Sequence, residues 1–463
     1  MPRFSTYATH LRVLLLLGLP LIGGHLAQFA IGLTDTAMLG WYGVAELAAV
    51  TVANGSYFIV LFLFGAGFAI AVMPLVAAAA AVGDELAVRR STRMGLWLSV
   101  LFSALVMPLM WWSGPILRAL DQPEAVANLA EQYLRIAGWG LFPALLVMVL
   151  KSYLAALGHT MAVFWITALA AVLNAVINYA LIFGHFGVPE LGIRGAAIGS
   201  VLSHGISLLA VGVYAVRAMP QHELFRRFWR PDREIFAQVL ALGLPIGLTT
   251  LSEISVYAAS AVMMGWIGTV PLAAHGIVLG IAEAAFMVHL GFGNATTIRA
   301  GTAYGLADRD MMRNAALVAT VLSQVIALVS VILFLAVPEP LMALFVARDA
   351  PARPEIFAVG AGFLAIAAPL QFLIGAQVVA VGLLRGVQDM RVPMVIGALS
   401  YTVLGIGASY VLGFTFDLGG AGIWLGLLAG IGCASLLLMR RFWRRGLDRT
   451  LIVPAPPTGR PGD

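Results

Sequence analysis

The sequence predicts an all-α polytopic membrane protein, with twelve transmembrane helices in two six-helix lobes. Three observations carry this. Of 463 residues, 61% are apolar and only 11% are charged, whereas soluble domains carry about 25% charge. The apolar residues fall into twelve runs of bilayer-spanning length. The basic residues gather at alternate ends of those runs. This composition excludes a soluble globule, which could not cover itself with so little polar surface. A disordered chain is excluded as well, because such chains are poor in apolar residues. So is a disulfide-stapled fold, because Cys433 is the one cysteine.

A membrane-crossing helix needs about 20 mostly apolar residues. The first run, 13–38, is longer than a signal-peptide core and has no small-residue cleavage site, so it is read as retained. The next three are 46–80, 94–112 and 127–156, and the first half closes with 161–184 and 195–217. The charged stretch 217–234 (RAMPQHELFRRFWRPDRE) reads as a cytoplasmic linker. The second half holds 235–264, 271–300, 314–337, 355–384, 392–413 and 420–439. The second, fourth, seventh, eighth and tenth runs are long enough to tilt or protrude. The expected division is an N-lobe over 1–216, a linker over 217–234, a C-lobe over 235–441, and a basic then Pro-rich cytoplasmic tail over 442–463. Pro454, Pro456, Pro457 and Pro461 make the end of that tail a disordered segment. Leu14–Leu17 and Ala77–Ala81 are unbroken apolar runs, unlike the alternating strands of a β-barrel.

Orientation follows from the arginines. With the N-terminus placed inside, 22 of the 27 basic residues fall on the cytoplasmic side, a strong positive-inside bias. The same count tests the number of spans, since one missed helix would scramble the alternation. The net charge of +5 therefore reports topology, and a nucleic-acid partner has little support. Both termini are expected on the cytoplasmic side.

The chain also repeats itself at an offset of 225 residues. Gly18-Leu19-Pro20 recurs as Gly243-Leu244-Pro245, and residues 38–50 match 263–275 at 7 of 13 positions without a gap. Gly195, Ala196 and Ile198 recur as Gly420, Ala421 and Ile423. An even number of spans per half makes the repeats parallel, related by an axis along the membrane normal. That is a transporter arrangement, in which substrates sit between the halves.

Of 22 acidic residues, Asp35, Glu253 and Glu283 lie deep in apolar runs. Such carboxylates cost roughly 2.5–3.5 kcal/mol on the lenient insertion scale and usually face a cavity or a partner. Gln28 stands seven residues before Asp35, on the same helical face. The offset maps Gln28 onto Glu253 and Asp35 onto Ser260. These four residues are therefore expected to line a central cleft. Asn174 and Asn178 share a helix face and, with a carboxylate, would suit a proton relay or a small cation. Glu283 and His289 are secondary candidates, because a spacing of six stacks poorly on a helix. His25, His204 and His275 read as packing residues. No P-loop, metalloprotease or hydrolase motif is present. An enzyme is therefore not expected, and transport would draw on an ion gradient.

The order of several motifs gives the sequence a family resemblance. These are LPL…AQ…GLTDTAMLG, FGAGFAIAVMPLVAAAAAVGD, LNAVINYALIFG, LPIGLTTLSE and GAQVVAVGLLRGVQDM. Over about 10–440 the chain resembles the multidrug and toxic compound extrusion (MATE) family, in its NorM-like bacterial branch. The resemblance implies a V-shaped bundle that exports cationic or amphipathic compounds in exchange for H⁺ or Na⁺, with no other cofactor. Asp35 looks like the first-helix aspartate of the N-lobe coupling site, with Asn174 and Asn178 near it. Glu253 looks like the C-lobe glutamate, beside the matched Gln377 segment. Pro20 looks like the proline around which the first helix bends. Ile374 stands where the branch usually has a tenth-helix aspartate, so a C-lobe Na⁺ site is incomplete and H⁺ is favoured.

Small amphipathic or cationic drugs and the lipid bilayer are the expected partners, with no required protein partner. The nearest rival is a lipid or lipid-linked oligosaccharide flippase of the same wider superfamily. Flippases for anionic headgroups should carry basic residues facing the cavity, whereas here the deep charges read as acidic and the basic ones as terminal.

Overall fold

A computed structural model describes residues 2–226, 228–346 and 351–450. The described residues contain no β-strand. Twelve helices are long and apolar enough to cross a membrane. In the first half they are α1 (Tyr7–Tyr42), α2 (Val44–Ala81), α3 (Glu85–Trp111), α4 (Glu124–Ala156), α5 (Thr160–Phe183) and α6 (Gly192–Ala218). The second half holds α7 (Arg233–Ile267), α8 (Thr269–Gly305), α9 (Arg309–Ala336), α10 (Arg353–Gly386), α11 (Arg391–Thr415) and α12 (Gly419–Arg449). Each overlaps the apolar run expected at its place.

The helix ends follow local chemistry. Asp84, Asp232 and Asp308 cap α3, α7 and α9, each accepting a backbone N–H three residues on. α5 ends at Gly184, whose φ of 71° favours a residue without Cβ. Among the described residues three helices carry π-helical turns, at Thr51–Phe58 in α2, at Leu399–Gly405 and Val411–Thr415 in α11, and at Phe442–Gly446 in α12.

The repeat is visible in the packing. In the first half α1 lies on α5, α4 on α6 and α5 on α6, while α2, α3 and α4 pack mutually. Every one of these pairs recurs in the second half, as α7 on α11, α10 on α12, α11 on α12, and α8, α9 and α10 together. The lobes meet through α1 against α8, α2 against α7, and α2 against α8. Exchanging the halves converts the first pair into the second and leaves the third unchanged, as a pseudo-twofold axis requires.

The inter-lobe seam is built from small residues. A Cβ on Gly67 would strike backbone atoms of Gly243 and Gly247, and one on Gly301 would crowd Pro74 and Ala77. Ile22 occupies the space beside Gly291 in the same way. Such close approach is how apolar helices gain contact in lipid, where no hydrophobic force draws them together. All these residues lie in the linker-side halves of their helices. The seam therefore closes the end of the molecule that carries the linker.

One feature differs from the sequence reading. The region 442–449 is not tail but the continuing end of α12. Phe442 is fully buried there, and the Arg441 guanidinium donates to both oxygens of buried Asp389 at 2.7 and 3.0 Å. The Pro-rich end lies outside the described residues. The linker is pinned to the N-lobe. Arg90 on α3 pairs with Asp232, and Trp97 Nε1 donates to the Phe228 carbonyl at 2.9 Å. The Arg90 hydrogen bond holds the Asp232 carboxyl below its ordinary value. A depressed carboxyl stabilises the fold above its unfolded pKa, and that stability is lost as pH falls through the folded pKa. Asp232→Asn keeps the helix cap and removes the charge. We expect it to lower stability by about 0.5–1 kcal/mol at neutral pH, and to narrow the gap to wild type in acid, measured by thermal unfolding in detergent.

Candidate functional site

The N-lobe site is assembled by α1 and α5. Asp35 is seven residues from the end of α1, and Asn178 Nδ2 donates to its Oδ1 at 2.6 Å. Asn174 Oδ1 lies 3.4 Å from the same Asn178 nitrogen, one helical turn away. Both asparagines are buried, and Asn178 Oδ1 has no hydrogen-bond partner among the described residues. Gly199 on α6 makes room for Asn178, because a Cβ at Gly199 would collide with that oxygen. Tyr133 on α4 lies within electrostatic reach of Asp35 and hydrogen-bonds Ser200. Sequence reasoning found Asp35, Asn174 and Asn178 but missed Tyr133 and Ser200. A tyrosine in an apolar run carries no signal of its own.

The C-lobe site is assembled by α7 and α10. Gln377 Nε2 donates to Glu253 Oε1 at 3.0 Å. The two line a small cavity within the C-lobe together with Asn294, Phe286 and Arg385. Tyr257 and Tyr401 are within electrostatic reach of Glu253. Gln377 Oε1, Arg385 Nε and the Tyr401 hydroxyl are buried without hydrogen-bond partners among the described residues. Ile374 is buried near the cavity and adds no charge. Across the seam, Asn294 Nδ2 pairs with His25 Nε2 at 3.0 Å.

Other expectations fare differently. Ser260 does not line a cleft. It is fully buried, and its Oγ donates to the Tyr257 carbonyl at 2.7 Å and lies 3.1 Å from His275 Nε2. His275 in turn packs edge-on against Trp424, so this is C-lobe core. Gln28 and Glu283 are exposed. His289 is buried against Ser323 at 3.2 Å and does not meet Glu283. Pro20 is buried within an unbroken helix. Its ring nitrogen cannot donate to the Leu16 carbonyl, and Thr160 Oγ1 approaches that carbonyl instead, at 3.4 Å.

The expectation that basic residues stay at helix ends also fails in part. Arg385 is next to last in α10, yet it lines the cavity beside Glu253. Lys151, near the end of α4, is within electrostatic reach of His25 and His204. Side chains tilt toward a helix N-terminus, so a basic residue at the C-terminal end of a span leans back into the bundle. Among the described residues no three His, Cys, Asp or Glu side chains converge as a metal site would require.

The sequence profile of the MatE family matches residues 20–180 and 245–411, two segments that begin 225 residues apart. The chain belongs to the MatE family. A relative from Rhizobium meliloti (strain 1021), named "Probable multidrug resistance protein NorM", is 41% identical over 456 residues, covering 97% of each chain. One of the same name from Agrobacterium fabrum is 40% identical over 440 residues, covering 95% of this chain and 94% of its own. Among solved structures, a MATE protein in complex with MaL6 superposes with a TM-score of 0.87 at 20% identity, covering 95% of this chain and 97% of the other. A eukaryotic MATE transporter gives 0.85 at 18% identity, covering 96% and 99%. The fold of this MatE protein is thus the V-shaped bundle of two six-helix lobes, and its family is one of membrane transporters rather than enzymes.

Proposed function

We propose that this MatE protein is a secondary active multidrug exporter of the bacterial inner membrane. It exchanges lipophilic or cationic compounds for a coupling cation by alternating access. The observation that carries this reading is Asp35, a carboxylate set in the apolar N-lobe and hydrogen-bonded by Asn178 at 2.6 Å. The printed names of the relatives at 40 and 41% identity support export of drugs. With both termini in the cytoplasm, the closed seam faces inward and the cleft faces outward. The ionised acids attract a cation into a cleft with apolar and aromatic walls. Protonation from outside then weakens that hold, and the two states differ in affinity as a driven cycle requires.

Proton coupling is favoured over Na⁺. A Na⁺ ion needs several oxygen ligands and tolerates a neighbouring cation poorly, yet Arg385 stands beside Glu253 and Ile374 supplies no oxygen. The flippase reading draws on Arg385 and Lys151, which face inward as anion-binding residues would. One assay separates the readings: ethidium efflux from inverted vesicles under an H⁺ gradient alone and a Na⁺ gradient alone. We expect efflux with H⁺. Efflux with Na⁺ only would overturn proton coupling, and no efflux alongside scrambling of a fluorescent lipid would establish the flippase.

A further inference from the structure

On the linker face, remote from both carboxylate sites, a polar cleft opens between the start of α3 and the linker. Arg89, Arg90, Arg93, Arg226 and Arg230 line it, against two carboxylates, Glu223 and Asp232. Those carboxylates are already shared. Glu223 pairs with Arg226 at 2.5 Å and Arg89 at 3.2 Å, and Asp232 pairs with Arg90. Arg230 is exposed and has no ion pair among the described residues. Residues more than 130 positions apart thus bring five guanidinium groups to one cleft, with a surplus of positive charge. Topology alone explains why arginines lie on this face, but not why they converge.

The walls are amphipathic. Leu86 is 52% exposed at the cleft, and next to it on the linker Phe225 and Trp229 are 47% and 73% exposed. Phe228 between them stacks on Trp97 of α3, with ring centroids 5.7 Å apart. Exposed aromatic rings beside arginines at the end of a span are the side chains that settle at the headgroup level. Guanidinium forks match phosphate oxygens in geometry and charge.

We propose that this cleft holds the phosphate of an anionic phospholipid from the cytoplasmic leaflet. The arginines grip the headgroup, while Leu86, Phe225 and Trp229 meet its glycerol and acyl region. One bound lipid would bridge α3 of the N-lobe to the linker that leads into α7. It would thereby brace the closed, cytoplasmic end of the V.

The test uses the full chain, stripped of lipid in detergent and placed in phosphatidylcholine nanodiscs with and without phosphatidylglycerol. Thermal unfolding and native mass spectrometry of retained lipid are the readouts. Phosphatidylglycerol should raise the melting temperature and remain bound. Arg230→Glu should weaken retention about ten-fold, and Arg230→Gln by less. Arg313→Glu, an exposed cytoplasmic reversal away from the cleft, should behave as wild type. Equal losses from Arg230→Glu and Arg313→Glu would overturn the site, leaving only a general surface attraction. Inorganic phosphate that reproduces the stabilisation in pure phosphatidylcholine would overturn the lipid assignment.

Discussion

Asp35→Asn should insert and express as wild type yet reduce proton-driven ethidium efflux at least ten-fold, to the level of empty vesicles. The expectation rests on geometry. The new amide still offers an oxygen to Asn178 Nδ2, which sits 2.6 Å from the present carboxylate. Packing against the buried pair Asn174 and Asn178 is therefore kept. What disappears is the ability to carry charge and to change it. A transporter that couples through this group would still bind drug weakly through its apolar walls but would have no reason to release it on one side. Asn178→Ala gives the complementary case. It leaves the carboxylate in place and removes its donor, so efflux should fall by less and remain dependent on the proton gradient. Wild-type efflux from the Asp35→Asn vesicles would sink the coupling role, whatever Asn178→Ala does.

How far the sequence could reach differs from feature to feature. The twelve spans and the two lobes were readable because hydropathy and the 225-residue offset are properties of the linear chain. Asp35 was readable because a carboxylate in an apolar run has a known cost. Its bond to Asn178, 143 residues away, was not in the residues themselves; only the family resemblance set the two near each other, and folding of α1 against α5 makes the bond. The offset misled at Ser260. A repeat keeps helix positions, but a small serine without charge turned into the C-lobe core toward His275 instead of lining a cleft. Arg385 misled for a different reason. Its place near the end of α10 reads as an interfacial charge, while the backward tilt of the side chain carries the guanidinium into the cavity. The end of α12 was read as tail because arginines dominate it, and the acid that holds it, Asp389, lies 52 residues from Arg441.

Arg385 sharpens the second large prediction. Glu253→Gln should cut efflux about ten-fold and also destabilise the protein. The glutamine can keep the 3.0 Å hydrogen bond from Gln377 Nε2, so the loss is again one of charge. Here, however, the lost charge faced a buried cation. Removing one member of a contacting buried pair costs roughly 3–5 kcal/mol. Glu253 and Arg385 interact beyond ion-pair distance, so the expected cost is smaller, about 1–3 kcal/mol. Arg385→Gln alone should disturb the site in the opposite sense, leaving Glu253 without its neighbouring positive charge. The double substitution separates two roles that either single one confounds. If Glu253 merely neutralises Arg385, then Glu253→Gln with Arg385→Gln recovers both melting temperature and efflux. If Glu253 binds the transported cation or the coupling proton, the double variant recovers the melting temperature alone and stays deficient in transport. We expect the second result, because Gln377, Asn294 and Phe286 gather at the same cavity, and a carboxylate needed only to balance an arginine would require none of them. Unchanged efflux and unchanged ion dependence in Glu253→Gln would make the glutamate structural and leave Asp35 as the sole coupling acid.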